Sequence, residues 1–168
     1  MTFQELTQQR YSLRKFSDKP VEDEKLQLVL EAARSAPTAH NLQPQRVFVL
    51  RSEQALEKVD GFTACHFHPP VMLVVAYDPA AAWNREGDGK NHGEIDASLA
   101  TMQMMLQAAD LGLGTCIMGL FDEARLRRLL DIPAQSRVRL VIAVGYPAED
   151  APRPKQRKAM ESVARFIR

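Results

Sequence analysis

Residues 91–114, NHGEIDASLATMQMMLQAADLGLG, constrain the fold more than any other stretch of the chain. They form the longest helical pattern in the sequence, with Asp96, Gln103, Gln107 and Asp110 on one narrow polar stripe. Ile95, Leu99, Met102, Met105, Leu106, Ala109 and Leu111 occupy most of the remaining circumference. A helix this apolar has to be covered nearly all round. Asn91 and Glu94 have the spacing of a capping box, and Gly112 and Gly114 provide a stop. In a chain of 168 residues such a helix is expected both to thread the core, between sheet and helices, and to pack against a second copy of the protein.

The length suits one domain spanning residues 1–168, large enough to bury a core without staples. A formal charge of +1 with interspersed signs gives no basic stripe, so a nucleic-acid surface is not expected. Cys65 and Cys116 match no zinc spacing and read as reduced core or strand residues. The polar start MTFQELTQQR resembles neither a signal peptide nor an anchor, and no apolar run approaches the ~20 residues of a membrane span. A soluble, cytoplasmic protein is the default expectation.

Residues 2–9 can form a short helix. The next seven alternate: extended, Arg10, Ser12 and Arg14 share one face with Tyr11 and Leu13 on the other, and the two guanidiniums stand about 13 Å apart. Leu26, Val29, Leu30 and Ala33 define an amphipathic helix over 25–34, and a loop with two prolines and many small polar residues follows over 35–44. Short strands are expected at 47–50 and 115–118, and Ser52 should cap a helix to about Val59. The unbroken apolar run 71–76 predicts a strand covered on both faces, and 138–144 is a third strong strand. Residues 79–90 read as a loop, with Trp83 folded back as a plug or lid. Asp122 should cap a helix to about Leu130, with Phe121 and Leu126 as a hydrophobic staple. Residues 147–158 are rich in proline and charge and should not pack on their own. The alternation of strands and helices predicts an α/β or α+β layered fold with a central sheet covered on both sides.

Arg10, Ser12 and Arg14 suit an elongated anion, one guanidinium and the hydroxyl taking a phosphate while the second guanidinium reaches a polar ring edge. The basic tail Lys155-Gln156-Arg157-Lys158 could close over the same phosphate. His66 and His68 lie on one side of an extended segment, but with no carboxylate or further histidine placed beside them no metal site is expected. No nucleophile elbow, GxGxxG turn or Walker loop is present. From the residues alone the chain reads as a domain binding a phosphorylated ligand, without a reaction.

Four segments taken together are more specific: RYSLRKF at 10–16, SAPTAHNLQP at 35–44, GEIDASLATMQMMLQAADLGLGTCIMG at 93–119 and VGYPAEDAPRPKQRK at 144–158. In this order they resemble the FMN-dependent nitroreductase family, in its compact branch. The resemblance implies an α+β sandwich, with a central mixed sheet flanked by helices, assembled as an intertwined homodimer whose two FMN sites draw on both chains. It implies that Arg10 and Ser12 bind the FMN phosphate with Lys155 and Arg157, and that Arg14 lies near the pyrimidine edge, where positive charge favours the reduced anionic flavin. Pro37, Thr38 and Ala39 would reach the ring from the other subunit, Asn41 and Gln43 would bond ring or ribityl oxygens, and Met118 and Gly119 would present backbone near N5. Met118 stands where relatives often have Glu, and Gln45 where they often have an aromatic. The implied activity is NADH- or NADPH-driven two-electron reduction of nitroaromatics, quinones or similar small molecules by ping-pong transfer, with no catalytic side chain assigned. The alternatives are another flavin reductase, of the dehalogenase or ene-reductase type, and a non-catalytic FMN-binding or storage protein.

Overall fold

Residues 71–76 are all buried in the computed structural model, which describes residues 1–148 and 155–167. They lie in β2 (Val71–Tyr77), which pairs antiparallel with β1 (Gln45–Leu50) on one side and β4 (Arg137–Gly145) on the other. β4 in turn pairs antiparallel with β3 (Gly114–Met118), giving the order β1-β2-β4-β3. Among the described residues, parallel pairing is limited to an isolated bridge between Ser12 and Thr115. The mixed character expected of the sheet rests on that one contact, while its four strands are antiparallel throughout.

Two helical layers explain the unbroken apolar run of β2. Val71, Leu73 and Val75 face α2 (Asp23–Arg34) and α4 (Gly93–Asp110), in a core with Leu26, Val29, Met104 and Ile142. Met72, Val74 and Ala76 face the opposite way, into a second core with Leu50, Phe62, Met118 and Leu126. That side is covered by α3 (Glu53–Glu57), a 3-10 turn (Val59–Gly61) and α5 (Glu123–Leu129). Ser52 and Asp122 cap their helices as expected, accepting from Ala55 N and Arg125 N. The helix after Ser52 is shorter than its pattern, ending at Glu57 with the 3-10 turn following from Val59.

The capping box forms at α1 (Phe3–Gln9) and not at α4. Thr2 Oγ1 accepts from Glu5 N while Thr2 N donates to Glu5 Oε2. The spacing at Asn91 and Glu94 is similar, but α4 starts one residue later than that box requires, with His92 as N-cap and no side-chain cap bond. Asn91 instead accepts from Gly93 N and donates to Pro79 O, tying down the preceding loop. Glu94 pairs with Arg139 at 2.9 Å, beside a register shift in the β2–β4 ladder. At the other end Leu113 N bonds Ala108 O and Gly112 N bonds Ala109 O, the paired closure of a Schellman motif with Gly112 at φ 77°. Lys25 Nζ adds a bond to Leu111 O.

Burial around α4 differs from the pattern read along its sequence. Asp96, placed on the polar stripe, is only 1% exposed. Ile95, Leu99 and Met102 are 41%, 42% and 43% exposed, so a single chain covers α4 on one side only. Trp83 does fold back, stacked on His40 at 4.8 Å and tilted against His92 at 4.6 Å. Among the described residues no helix is long and apolar enough to cross a membrane.

Candidate functional site

Beyond α1 the chain runs extended along the outer side of β3. Ser12 bridges Thr115, Leu13 N donates to Thr115 O at 2.9 Å, and Phe16 bridges Pro147. The expected alternation is realised: Leu13 is buried, while Ser12 and Arg14 are exposed. Leu13 lies so close that a Cβ at Gly114 would fall 2.2 Å from Leu13 Cδ2, so the glycine lets the segment seat against the strand. Arg10, Ser12 and Arg14 are thereby held in a row beside β3.

The basic tail meets this row. Lys155 donates its ammonium to Thr7 O, at the end of α1. Its pKa is pushed down first by desolvation and then by the like charges of Arg10 and Arg157, which places three cations within electrostatic reach of one another. Among the described residues no carboxylate forms an ion pair with Arg10, Arg14, Lys155 or Arg157. Uncompensated cations beside a hydroxyl are a donor set for a phosphate. Arg14 and Arg10 also act on Cys116 in β3, partly offsetting the burial that pushes its thiol up. The segment 149–154, part of the tail expected not to pack, lies outside the described residues.

At the far end of β3 the strand gives way to open space. The Met118 side chain is fully buried in the second core, so only its backbone can face a ligand there. At Gly119 an added Cβ would meet no atom within 4 Å. From Thr115 to Gly119 the strand rises about 13 Å, a length that suits a ligand with a phosphate at one end and a flat group at the other.

The loop 35–44 is an ordered structure containing a 3-10 turn (Ala39–Asn41), and His40, Asn41 and Gln43 all adopt positive φ, at 53°, 56° and 52°. Such a backbone persists only where its surroundings hold it. Ala39 N donates to Asp96 Oδ1 at 3.0 Å, Gln43 N to Thr38 Oγ1, Gln43 Nε2 to Asn41 O, and Gln45 Nε2 to Ala33 O. Asp96, expected on the polar stripe of the helix and not among the site residues, is therefore the anchor of this loop on α4. Its sequence signal was a carboxylate one turn into an apolar helix.

Within one chain the structure places the expected residues in two groups. Arg10, Ser12, Arg14, Lys155, Arg157, Met118 and Gly119 lie along or beside β3, at one edge of the sheet. Pro37, Thr38, Ala39, Asn41 and Gln43 lie in the loop that enters β1, at the other edge. Three strand spacings separate the edges, about 14 Å in the hydrogen-bonding direction.

Comparison with known proteins bears on the chain as a whole. Residues 7–68 and 65–146 match the description of the Nitroreductase family. An Archaeoglobus fulgidus protein with the provisional name NADH dehydrogenase/NAD(P)H nitroreductase is 32% identical over 154 residues, covering 84% of this chain and 83% of its own length. The crystal structure of a nitroreductase family protein from Clostridium difficile 630 superimposes with a TM-score of 0.92 at 32% identity, over 99% of this chain and 98% of that one. A Desulfovibrio desulfuricans protein crystallised in complex with FMN superimposes with a TM-score of 0.85 at 28% identity, over 98% and 96%.

Proposed function

This chain belongs to the nitroreductase family, and from that premise we propose that it is an FMN-dependent oxidoreductase driven by NADH or NADPH and assembled as a homodimer with shared flavin sites. The observation that carries the reading is the division of the expected residues between opposite edges of one sheet. One chain offers a row of cations beside β3, and a loop locked in an unusual backbone at β1. A second copy can bring its loop to the first chain's row.

FMN fits the residues of the β3 edge. Arg10, Ser12, Lys155 and Arg157 would hold its phosphate, and a dianion there offsets the like charge that, after desolvation, depresses Lys155. Arg14, two residues beyond Ser12, would stand toward the ring and favour negative charge on it. Gly119 leaves room for a flat group to approach the backbone. The loop residues Pro37, Thr38, Ala39, Asn41 and Gln43 of the other chain would border the ring and its ribityl chain. FMN bound in this way supplies hydride chemistry between a nicotinamide and a small acceptor such as a nitroaromatic or quinone. No acid or base side chain is assigned to the reaction. The chain's own part is to bind, to orient and to set the charge around the ring.

The test begins with the purified protein, expected to be yellow with about one FMN per chain, as the shared sites require. Anaerobic mixing with NADH and with NADPH should bleach the flavin, and a nitroaromatic or quinone should restore it. Folded protein without FMN affinity would exclude the reading, and bound FMN with negligible bleaching would leave a storage protein. Mixing an Arg10→Ala protein with an Asn41→Ala protein and letting subunits exchange should regenerate one intact site per heterodimer. Proven exchange without any recovered FMN binding would rule out the shared site.

A further inference from the structure

The turn after α3 brings a carboxylate to the two imidazoles that stood alone in the sequence. Asp60 lies in the 3-10 turn Val59–Gly61, and its Oδ1 is 2.8 Å from His66 Nδ1. The His66 and His68 rings are 6.2 Å apart between centroids, tilted by 38°. One ligand atom from each of Asp60, His66 and His68 lies within 4.8 Å of the others, and all three residues are exposed. We propose that these three side chains form a surface site for a borderline divalent transition ion, Zn2+ foremost, at which two imidazoles and one carboxylate bind and water completes the shell.

The distances suit such an ion. Ligand bonds of about 2.0–2.2 Å at tetrahedral angles hold ligand atoms about 3.3–3.6 Å apart, so side-chain rotations that draw together atoms already within 4.8 Å would close the site. Its supports are built on the core. Phe67, between the two histidines, packs against the second hydrophobic core, and Phe67 N donates to Cys65 O at 2.9 Å. With Phe67 pointing inward, the flanking imidazoles are turned to solvent together. His68 is held at φ 45° before the buried Pro69. The Asp60 turn is fixed by Gly61 N to Lys58 O and Phe62 N to Val59 O, both 3.0 Å. Two imidazoles with one carboxylate select zinc and its neighbours over Mg2+ or Ca2+, which take oxygen. Cys65 is half-buried and packs against the core, so the ligand set contains no thiolate.

An ion here would join the Asp60 turn to the 66–68 segment. Between them, Phe62 O accepts from Asp122 N at 2.8 Å and Thr63 Oγ1 donates to Leu120 O at 2.5 Å. The clamp therefore braces the chain that follows Gly119. The inference rests on these residues alone and stands apart from the flavin reading.

Calorimetric titration of the chelator-treated, desalted protein with ZnCl2 tests it. We expect one Zn2+ per chain with micromolar affinity, at least about tenfold weaker in His66→Ala, His68→Ala and Asp60→Asn. His40→Ala and Cys65→Ser should bind like the parent, and Mg2+ should give no heat of binding. Asp60, His66, His68 and His40 are exposed and Cys65→Ser changes only one atom of a half-buried side chain, and circular dichroism checks the folding of all five variants. Absence of Zn2+ binding, undiminished affinity in His66→Ala and His68→Ala, or equal loss in Cys65→Ser or His40→Ala would overturn the assignment.

Discussion

On its sheet-facing side α4 carries Ala97, Ala100, Thr101, Met104 and Ala108, all buried, whereas its outward side carries Ile95, Leu99 and Met102 at about 40% exposure. Both sides are apolar, but small residues dominate the inward one. They let the helix sit closely on the sheet, and Thr101 returns its hydroxyl to Ala97 O, so no polar group is stranded there. The outward residues are large and recur at i, i+4 and i+7, one continuous stripe that a single chain leaves in contact with water. Apolarity alone therefore does not say what covers a helix. Side-chain size separates close packing on a sheet from a surface still open to a partner.

The sharpest way to break this contrast is to shorten a methionine on each side. Met104→Ala should cost about 2–5 kcal/mol in denaturant unfolding through the cavity it leaves. Met102→Ala, measured in dilute monomer, should stay within about 0.5 kcal/mol. Comparable losses at the two positions would mean that the inward and outward sides are not energetically distinct.

Asp96 is the one charged residue on the buried side, with Oδ1 bonded to Ala39 N and Oδ2 without a partner among the described residues. Asp96→Ala should cost about 1–3 kcal/mol and loosen the loop 38–43, seen as faster amide exchange at Ala39. Unchanged exchange there would show that the loop holds its left-handed residues without the helix.

Leu99→Asp should leave the monomer within about 0.5 kcal/mol of the parent yet shift sedimentation to the monomer and remove FMN. A dimer that survives this substitution would place the partner elsewhere. Arg10→Ala isolates the phosphate end: FMN binding should weaken by about 1.5–3 kcal/mol while riboflavin binding changes little. Equal loss for both ligands would remove Arg10 from the phosphate.

The smallest effect concerns the end of α4. Lys25, which bonds Leu111 O, also donates to Tyr146 Oη at 2.7 Å, and Tyr146 Oη donates to Glu22 Oε2 at 2.6 Å. That hydroxyl, first among the causes, holds the Glu22 carboxyl below its ordinary value of 4.5. A depressed folded pKa contributes stability above the unfolded value and loses it as pH falls through the folded one. Tyr146→Phe should therefore reduce the thermal midpoint at pH 7 slightly and flatten its decline below about pH 4.5. An unchanged acid limb would exclude the contribution.

The sequence by itself determined what is periodic or local. The run 71–76 announced a strand buried on both faces, the alternation from Arg10 to Arg14 an extended edge, Ser52 and Asp122 two helix starts, and Gly112 a helix end. Each signal is read within a few residues, where backbone geometry alone decides which side chains share a face. Four short segments in order also carried the family. The tertiary structure alone decided which side of α4 meets the sheet, that Asp96 lies inside it and holds Ala39, and that Asp60 joins His66 and His68. It also decided the division of the candidate site. Because β4, last in the chain, inserts between β2 and β3, the cations beside β3 are separated from the loop entering β1. Strand order follows from the packing of distant segments, and no spacing within a segment encodes it.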